Sequence, residues 1–592
     1  MSGASPEDRH KLSGRMSGAK WTAAACLIFG IATAHQYQQV LLDGFGTAIA
    51  VPRNFGKTTT DPSERADHLW PTERADLRRQ WEDWDHSFAL WVVSRNAYTL
   101  LHEPAGLFAE GPCFPFPMPL ALGHPAIGQG LLAVPVYAAT GNPMAAYNSV
   151  MMLGSLLAAL AMFLTIRSWT GSPGAGIAAG LLFAFHGARV SLATYPFIID
   201  LSWTIFALYF GERYFRCGRW RDALLAALCI ALQLSMSLYA SLMCVVILLS
   251  YGVWLLRTYA VSKLRPGPVV VALGVIGLSL AFVYLPYLEI LEAPGNRVRL
   301  VAWWSGFLPG RFVGWLVFLL AGASLLPGLR DPRASRRWAL LAACGLVLWF
   351  ATGGNEAAQR IAEKAGDPAP LKLPNPYQIL DFIPGLSMVR GPFVLASGVH
   401  LLLSLLAGLG AARLIGWTPA SWRLVAVAAL ISVVFADTLH PELVGRRAGV
   451  GFRSQGLRPG EPAALAFFEK LDALGNRGPI VEIPISNPWA THREASRTLL
   501  NVYHHRPTSG CHNSVIPPET TRVRAIISRL PNPYALRKLR ALGFTTVIVH
   551  GGPELQRPFR EAAGPGGVLE EIRVEKKMAA FSIAVGAGDV PP

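Results

Sequence analysis

Apolar runs of about the length needed to cross a bilayer recur along this chain, with short clusters of arginine between them. A spanning helix needs roughly 20 mostly apolar residues, with about 17 as a practical minimum. Runs of this kind occur at 21 to 42, 144 to 166, 174 to 190, 197 to 212, 222 to 237, 240 to 256, 268 to 290, 311 to 329, 338 to 353, 392 to 413 and 422 to 437, the shorter ones lying at the limit. With 52% hydrophobic and 15% charged residues and a mean hydropathy of +0.35, the 592 residues carry more apolar surface than one soluble core hides. A lipid bilayer is the solvent that accepts it.

Charge sets the orientation. Lysine and arginine exceed aspartate and glutamate by 53 to 37, but the excess sits in clusters between apolar runs rather than on a nucleic-acid-binding face. Arg213, Arg216, Arg219 and Arg221 form one cluster, Arg257, Lys263 and Arg265 a second, and Arg330, Arg333, Arg336 and Arg337 a third. Cationic loops stay cytoplasmic. Eleven spans with the N-terminus inside place all three there, and put the loops at 291 to 310 and 354 to 391, and everything after 438, outside. Lys11, Arg15 and Lys20 precede the first run without a small-residue cleavage site, so that run reads as a retained span. The segment 126 to 140 is apolar but short, and counting it as a span would turn the arginines outward. It reads as an interfacial or half-inserted helix.

The expected fold is therefore mainly α. A polytopic bundle occupies 1 to 437, its first outer loop runs from 43 to 143, and a small soluble α/β domain occupies 438 to 592. In that last part, helical patterning at 462 to 474 alternates with strand-like runs at 479 to 485, 545 to 551 and 579 to 585. It holds no GxGxxG, Walker, GxSxG or HExxH pattern. The seven cysteines show no metal or redox spacing. Cys113 and Cys511 both fall on the outer, oxidising side, where a disulfide between them and two separate thiols are alternatives of equal standing.

Two outer constellations stand out. The first loop has eight carboxylates between Asp61 and Asp85, then a Pro-rich stretch, GPCFPFPMPLALGHP, which regular helix does not accommodate. Its Glu82, Asp83 and Asp85 read either as a solvated acidic face or as a base for an acceptor hydroxyl. The outer loop 354 to 391 brings Lys372, Tyr377 and Arg390 near the membrane edge, where cations hold a phosphate or simply snorkel; the same choice applies to Arg297 and Arg299. Asp200, Glu212, Gln233, Glu289 and Asp437 interrupt the apolar runs, most of them near span ends where interfacial water suffices. Asp200, at the end of TYPFIID, is the one with a reading as part of the Asp85 cavity.

The order of these features is similar to the bacterial branch of the C-type glycosyltransferase superfamily. The likeness runs through LLHEPAGLFAEGPCFPFPMPLALGHPAIGQGLLAVPVYAATGNPMAAYN, TGSPGAGIAAGLLFAF, GERYFRCGRWRDAL, ALQLSMSLYAS and NPYQILDFIPGLSMVRGPF, and reaches NVYHHRPTSGCHNS and LRKLRALGFTTVIVHGG in the last domain. It covers most of the chain with diffuse motifs. The resemblance implies a multi-span enzyme of the bacterial cytoplasmic membrane that moves a sugar, with inversion, from a polyprenyl-phosphate donor to a glycan, lipid or protein acceptor on the outer face. Asp85 matches the early-loop aspartate of such enzymes, with Asp83 as its neighbour. Where relatives carry a Glu-His pair after the Pro-rich stretch, this chain has His124 and Pro125, which removes one carboxylate from a metal site and leaves His124 as a phosphate donor or ligand. Where relatives carry a second arginine in an RxPxR pattern, this chain has Val394. No cofactor is required by this reading, and a divalent metal is an open alternative. Rival readings are a transporter or flippase of a lipid-linked intermediate, which would bring internal repeats and midplane charges, and a catalytically silent scaffold.

Overall fold

The computed structural model describes residues 18–52, 75–109, 111–191, 200–259, 265–290, 313–326, 335–355, 373–380, 391–439, 452–457, 461–484, 492–513, 515–564 and 567–584, together with 359, 362, 363, 366 and 389. Where the described residues cover them, the expected apolar runs fall largely on helix. The first run is divided into α1 (Gly18–Gln36) and α2 (Gln38–Asp43), because Tyr37 leaves helical geometry with ψ at 13°. Its hydroxyl turns into the bundle and donates to the Met151 carbonyl at 3.0 Å. After β1 (Ala48–Pro52) and the 28-residue α3 (Ala75–His102), the Pro-rich stretch folds as turns and a short 3-10 segment. Next come α4 (Ile127–Thr140) and α5 (Pro143–Thr170). The 14-residue α4 is as short as its sequence implied. Asn142 starts α5 by accepting from Met144 N and Ala145 N, with Pro143 supplying a first position that needs no donor.

The run at 174 to 190 is also divided, into α6 (Pro173–Ala184) and α7 (Gly187–Ser191). There follow α8 (Ser202–Cys217), α9 (Trp220–Leu234), α10 (Leu238–Thr258), α11 (Pro266–Tyr284), α12 (Trp315–Leu325), α13 (Ser335–Thr352), the short α14 (Tyr377–Leu380), α15 (Ala396–Trp417) and α16 (Arg423–Leu439). Among the described residues, five helices are long and apolar enough to cross a membrane: those at 143–170, 238–258, 266–288, 392–417 and 420–439. α15 lies at the centre of the bundle and α11 at its rim. A Cβ on Gly410 would sit 1.8 Å from the Leu320 carbonyl, so only glycine lets α15 pack this closely on α12.

The C-terminal part opens with β2 (Phe452–Gly456), which pairs antiparallel with β1 across some four hundred residues of sequence. Then come α17 (Glu461–Ala473), β3 (Ile480–Ile483), α18 (His492–His504), α19 (Pro518–Ile527), α20 (Pro533–Ala541), β4 (Thr546–His550), α21 (Pro553–Ala562), β5 (Leu569–Val574) and β6 (Met578–Ile583). The sheet order is β3-β4-β6-β5, with β3 and β4 parallel. Alternate residues serve opposite faces: Val481, Val547 and Phe581 pack with Leu536 and Phe559, while Ile480, Ile548 and Ala580 pack with Phe467 and Leu471. Both faces are thus covered.

Candidate active site

Helix α3, the loop ahead of α4 and the C-terminal part converge at one place. Trp91 of α3 donates its indole N–H to Asn501 at 2.9 Å, and Tyr98 stacks on His505 with 3.7 Å between ring centres. Cys113 and Cys511 form a disulfide, deciding between the alternatives left by the sequence. Phe88 packs edge-on against His512 at 6.2 Å. Gly123 is wedged between Phe88 and Asn513, and its carbonyl accepts from the Tyr287 hydroxyl at 2.6 Å. These contacts fix the backbone on both sides of His124, because Asn96 also holds the Pro125 carbonyl at 2.7 Å.

His124 is buried, its ring 5.2 Å from that of Tyr239 at the start of α10. Burial pushes its imidazole down to about 3, so it is neutral at physiological pH. The Tyr239 hydroxyl in turn accepts from the backbone N–H of Gly391 at 2.6 Å. One tyrosine therefore joins the His124 loop to the residue directly following Arg390. Tyr377 is fully buried, and its hydroxyl donates to the Phe350 carbonyl at 3.0 Å. Asp83 and Asp85 lie on the first part of α3, with Asp85 immediately before the buried His86 and one turn before Phe88. The side chains of Asp83 and Asp85, and the residues Lys372, Arg390, Arg297 and Arg299, lie outside the described residues.

Asp200 occupies a second polar place. Its carboxylate accepts from Ser202 N at 3.1 Å and Ser202 Oγ at 2.5 Å, closing the first turn of α8, and Gln233 donates to its carbonyl at 2.8 Å. Arg189 lies close by, bonded to Ser155 Oγ at 3.0 Å and to the Ala184 carbonyl at 3.1 Å. Tyr37, Gln129, Arg189 and Asp200 border a cavity of 10 Å³, room for about one water. Neither amide atom of the buried Gln129 has a hydrogen-bond partner among the described residues. Gln129 is only five residues beyond His124, so the two polar places adjoin through the first turn of α4.

The chain resembles solved membrane enzymes in shape, though no family model and no curated protein matches its sequence. The arabinofuranosyltransferase AftD from Mycobacteria corresponds over 97% of this chain at a TM-score of 0.50 and 15% identity. A variant of that enzyme corresponds over 98% at 0.52. The chain therefore shares its fold with that enzyme. This chain spans 40 to 42% of the length of AftD. ArnT from Cupriavidus metallidurans, solved with undecaprenyl phosphate, corresponds over 97% of this chain and 99% of its own at a TM-score of 0.45 and 11% identity.

No group of three or more histidine, cysteine, aspartate or glutamate side chains is placed to hold a metal among the described residues. The expectation that interfacial water satisfies Glu212 and Gln233 is corrected. Glu212 is buried and paired with Arg336 at 2.6 Å, and it also accepts from Tyr251 at 2.7 Å and Tyr259 at 3.1 Å. The Arg336 guanidinium lies over the rings of Trp169 and Trp254, so this member of the third arginine cluster braces the bundle. Gln233 is fully buried and ties Thr204 to Asp200. Sequence reasoning missed Tyr239 and Arg189 altogether. A tyrosine at a span end passes for an interface anchor, and Arg189 sits inside an apolar run with no charged neighbour in sequence to mark its partner.

Proposed function

We propose that the chain is an inverting glycosyltransferase of the outer face of the bacterial cytoplasmic membrane, taking its sugar from a polyprenyl-phosphate lipid. The observation that carries this reading is the link through Tyr239. It brings the His124 loop, which packs on the Asp85 helix, to the foot of the loop that carries Arg390. A base and a cationic clamp at one place are what a single in-line displacement requires. Asp85 takes the proton of the acceptor hydroxyl as that oxygen attacks the anomeric carbon. The phosphate leaves toward Arg390 and Lys372, and the configuration inverts. His124, neutral and buried, orients the reacting groups through a hydrogen bond, with Asp200 and Gln129 behind it. No step is routed through a metal.

The Cys113–Cys511 disulfide supports an outward placement of the first loop and the last domain, since such bonds persist in oxidising compartments. Eleven spans with cytoplasmic arginine clusters agree with that placement. The acceptor is a glycan, lipid or protein. The test measures binding of undecaprenyl phosphate and turnover of undecaprenyl-phosphate-linked sugars by the whole protein in lipid nanodiscs. Asp85→Asn should keep binding and lose about 10² to 10⁴ in turnover, and Arg390→Gln should lose binding. Turnover by Asp85→Asn equal to that of the parent would exclude this assignment.

A further inference from the structure

Away from the outer site, a cavity of 560 Å³ opens between α8, α9 and α11. Its walls are Phe215, Ala223, Ala226, Ile230, Val269 and Leu273, and the one charged residue on it is Arg265. All three helices contribute their arginine-rich ends, so the cavity lies in one half of the bundle and has a cationic rim. The Tyr214 hydroxyl donates to the Arg265 carbonyl at 2.9 Å and fixes that arginine at the mouth, directly before Pro266 opens α11. Arg213 is engaged by Asp222 at 3.4 Å. Arg216, Arg219, Arg257 and Arg265 are exposed and have no ion pair among the described residues. Val270 and Leu273 remain 67% and 62% exposed, so the apolar wall is open to whatever fills the groove.

We infer that this groove binds one glycerophospholipid with an anionic headgroup, from the leaflet that faces the arginine clusters. Two features select it over ordinary boundary lipid. The concavity accepts acyl chain between three helices, whereas a flat helix face does not hold one chain in place. The Arg265 guanidinium on its wall matches a phosphate, and among the described residues that line it there is no carboxylate to repel one. A polyprenyl phosphate shares the chemistry but belongs to the opposite face in the reading given above, and this inference does not depend on that reading.

Native mass spectrometry of the whole protein, released from micelles containing equal phosphatidylglycerol, phosphatidylcholine and undecaprenyl phosphate, tests it. Phosphatidylglycerol should stay bound in preference, with about a fivefold loss of retention in Arg265→Gln and a complete loss in Ala226→Trp, which fills the groove. Arg265 is exposed, so the first variant keeps the test readable if the second does not fold. Soluble glycerol 3-phosphate should not displace the lipid. Equal retention of both glycerophospholipids, unchanged retention in Arg265→Gln, displacement by glycerol 3-phosphate, or preferential capture of undecaprenyl phosphate would each overturn the inference.

Discussion

Single residues connect distant parts of this chain, and those connections are the least visible in its sequence. His124 was readable because an interfacial histidine after a Pro-rich turn stands out, and Asp200 because a carboxylate interrupts an apolar run. Their partners were not readable, since hydrogen bonds across more than a hundred residues leave no local pattern. Tyr239 is the sharpest case. Its hydroxyl accepts from the buried Gly391 N–H, so Tyr239→Phe leaves that donor unsatisfied. A cost of about 1 to 3 kcal/mol is expected, together with weaker undecaprenyl phosphate binding at the neighbouring Arg390. Thermal unfolding in detergent and a lipid-binding titration, run side by side, check both. Lost stability with unchanged binding would detach Tyr239 from the site.

At the scale of elements, hydropathy located the membrane helices and short strand-like runs located β3, β4 and β6, because both signals are written in consecutive residues. The breaks at Tyr37 and after Ala184, and the pairing of β1 with β2, depend on what packs against them. The clamp between α8 and α13 was hidden for the same reason. Arg336→Leu alone should destabilise by about 3 to 5 kcal/mol by leaving Glu212 buried and unpaired. Glu212→Leu combined with Arg336→Leu should recover most of the loss, and additive losses in a chemical denaturation series would contradict a paired role. On β3, burial pushes the Glu482 carboxyl up, but the His550 hydrogen bond, the Arg497 charge and Thr508 outweigh it and hold it at about 2. Burial lowers His504 to about 3 and His512 to about 4. Depressed histidine values cost stability as pH falls below about 6.5, where the unfolded chain takes up protons first, and Glu482 adds a loss below its ordinary value of 4.5. The C-terminal part should therefore melt at a steadily lower temperature from pH 7 to pH 4. A flat or rising profile over that window would contradict these assignments.

For the whole molecule, the bundle and its small sheet-bearing end were legible from composition and charge, while the way they dock was not. The docking rests on β1 with β2, on Cys113 with Cys511, and on α3 with α18, each a contact between segments about four hundred residues apart. On the topology proposed from the arginine clusters, impermeant thiol probes should reach single cysteines placed at 213 to 221 only from the cytoplasm, and those placed beyond 438 only from outside. Labelling of both from one side would remove the eleven-span arrangement. The central claim is that a base on α3 and a cationic loop flank one outward cavity, and the most direct measurement is a structure of the whole protein with undecaprenyl phosphate bound. The account predicts the phosphate against Arg390 or Lys372, with the Asp85 carboxylate on the order of 8 to 15 Å from that head group across the space of one sugar. A phosphate bound elsewhere, or packed protein between Asp85 and both cations, would contradict it.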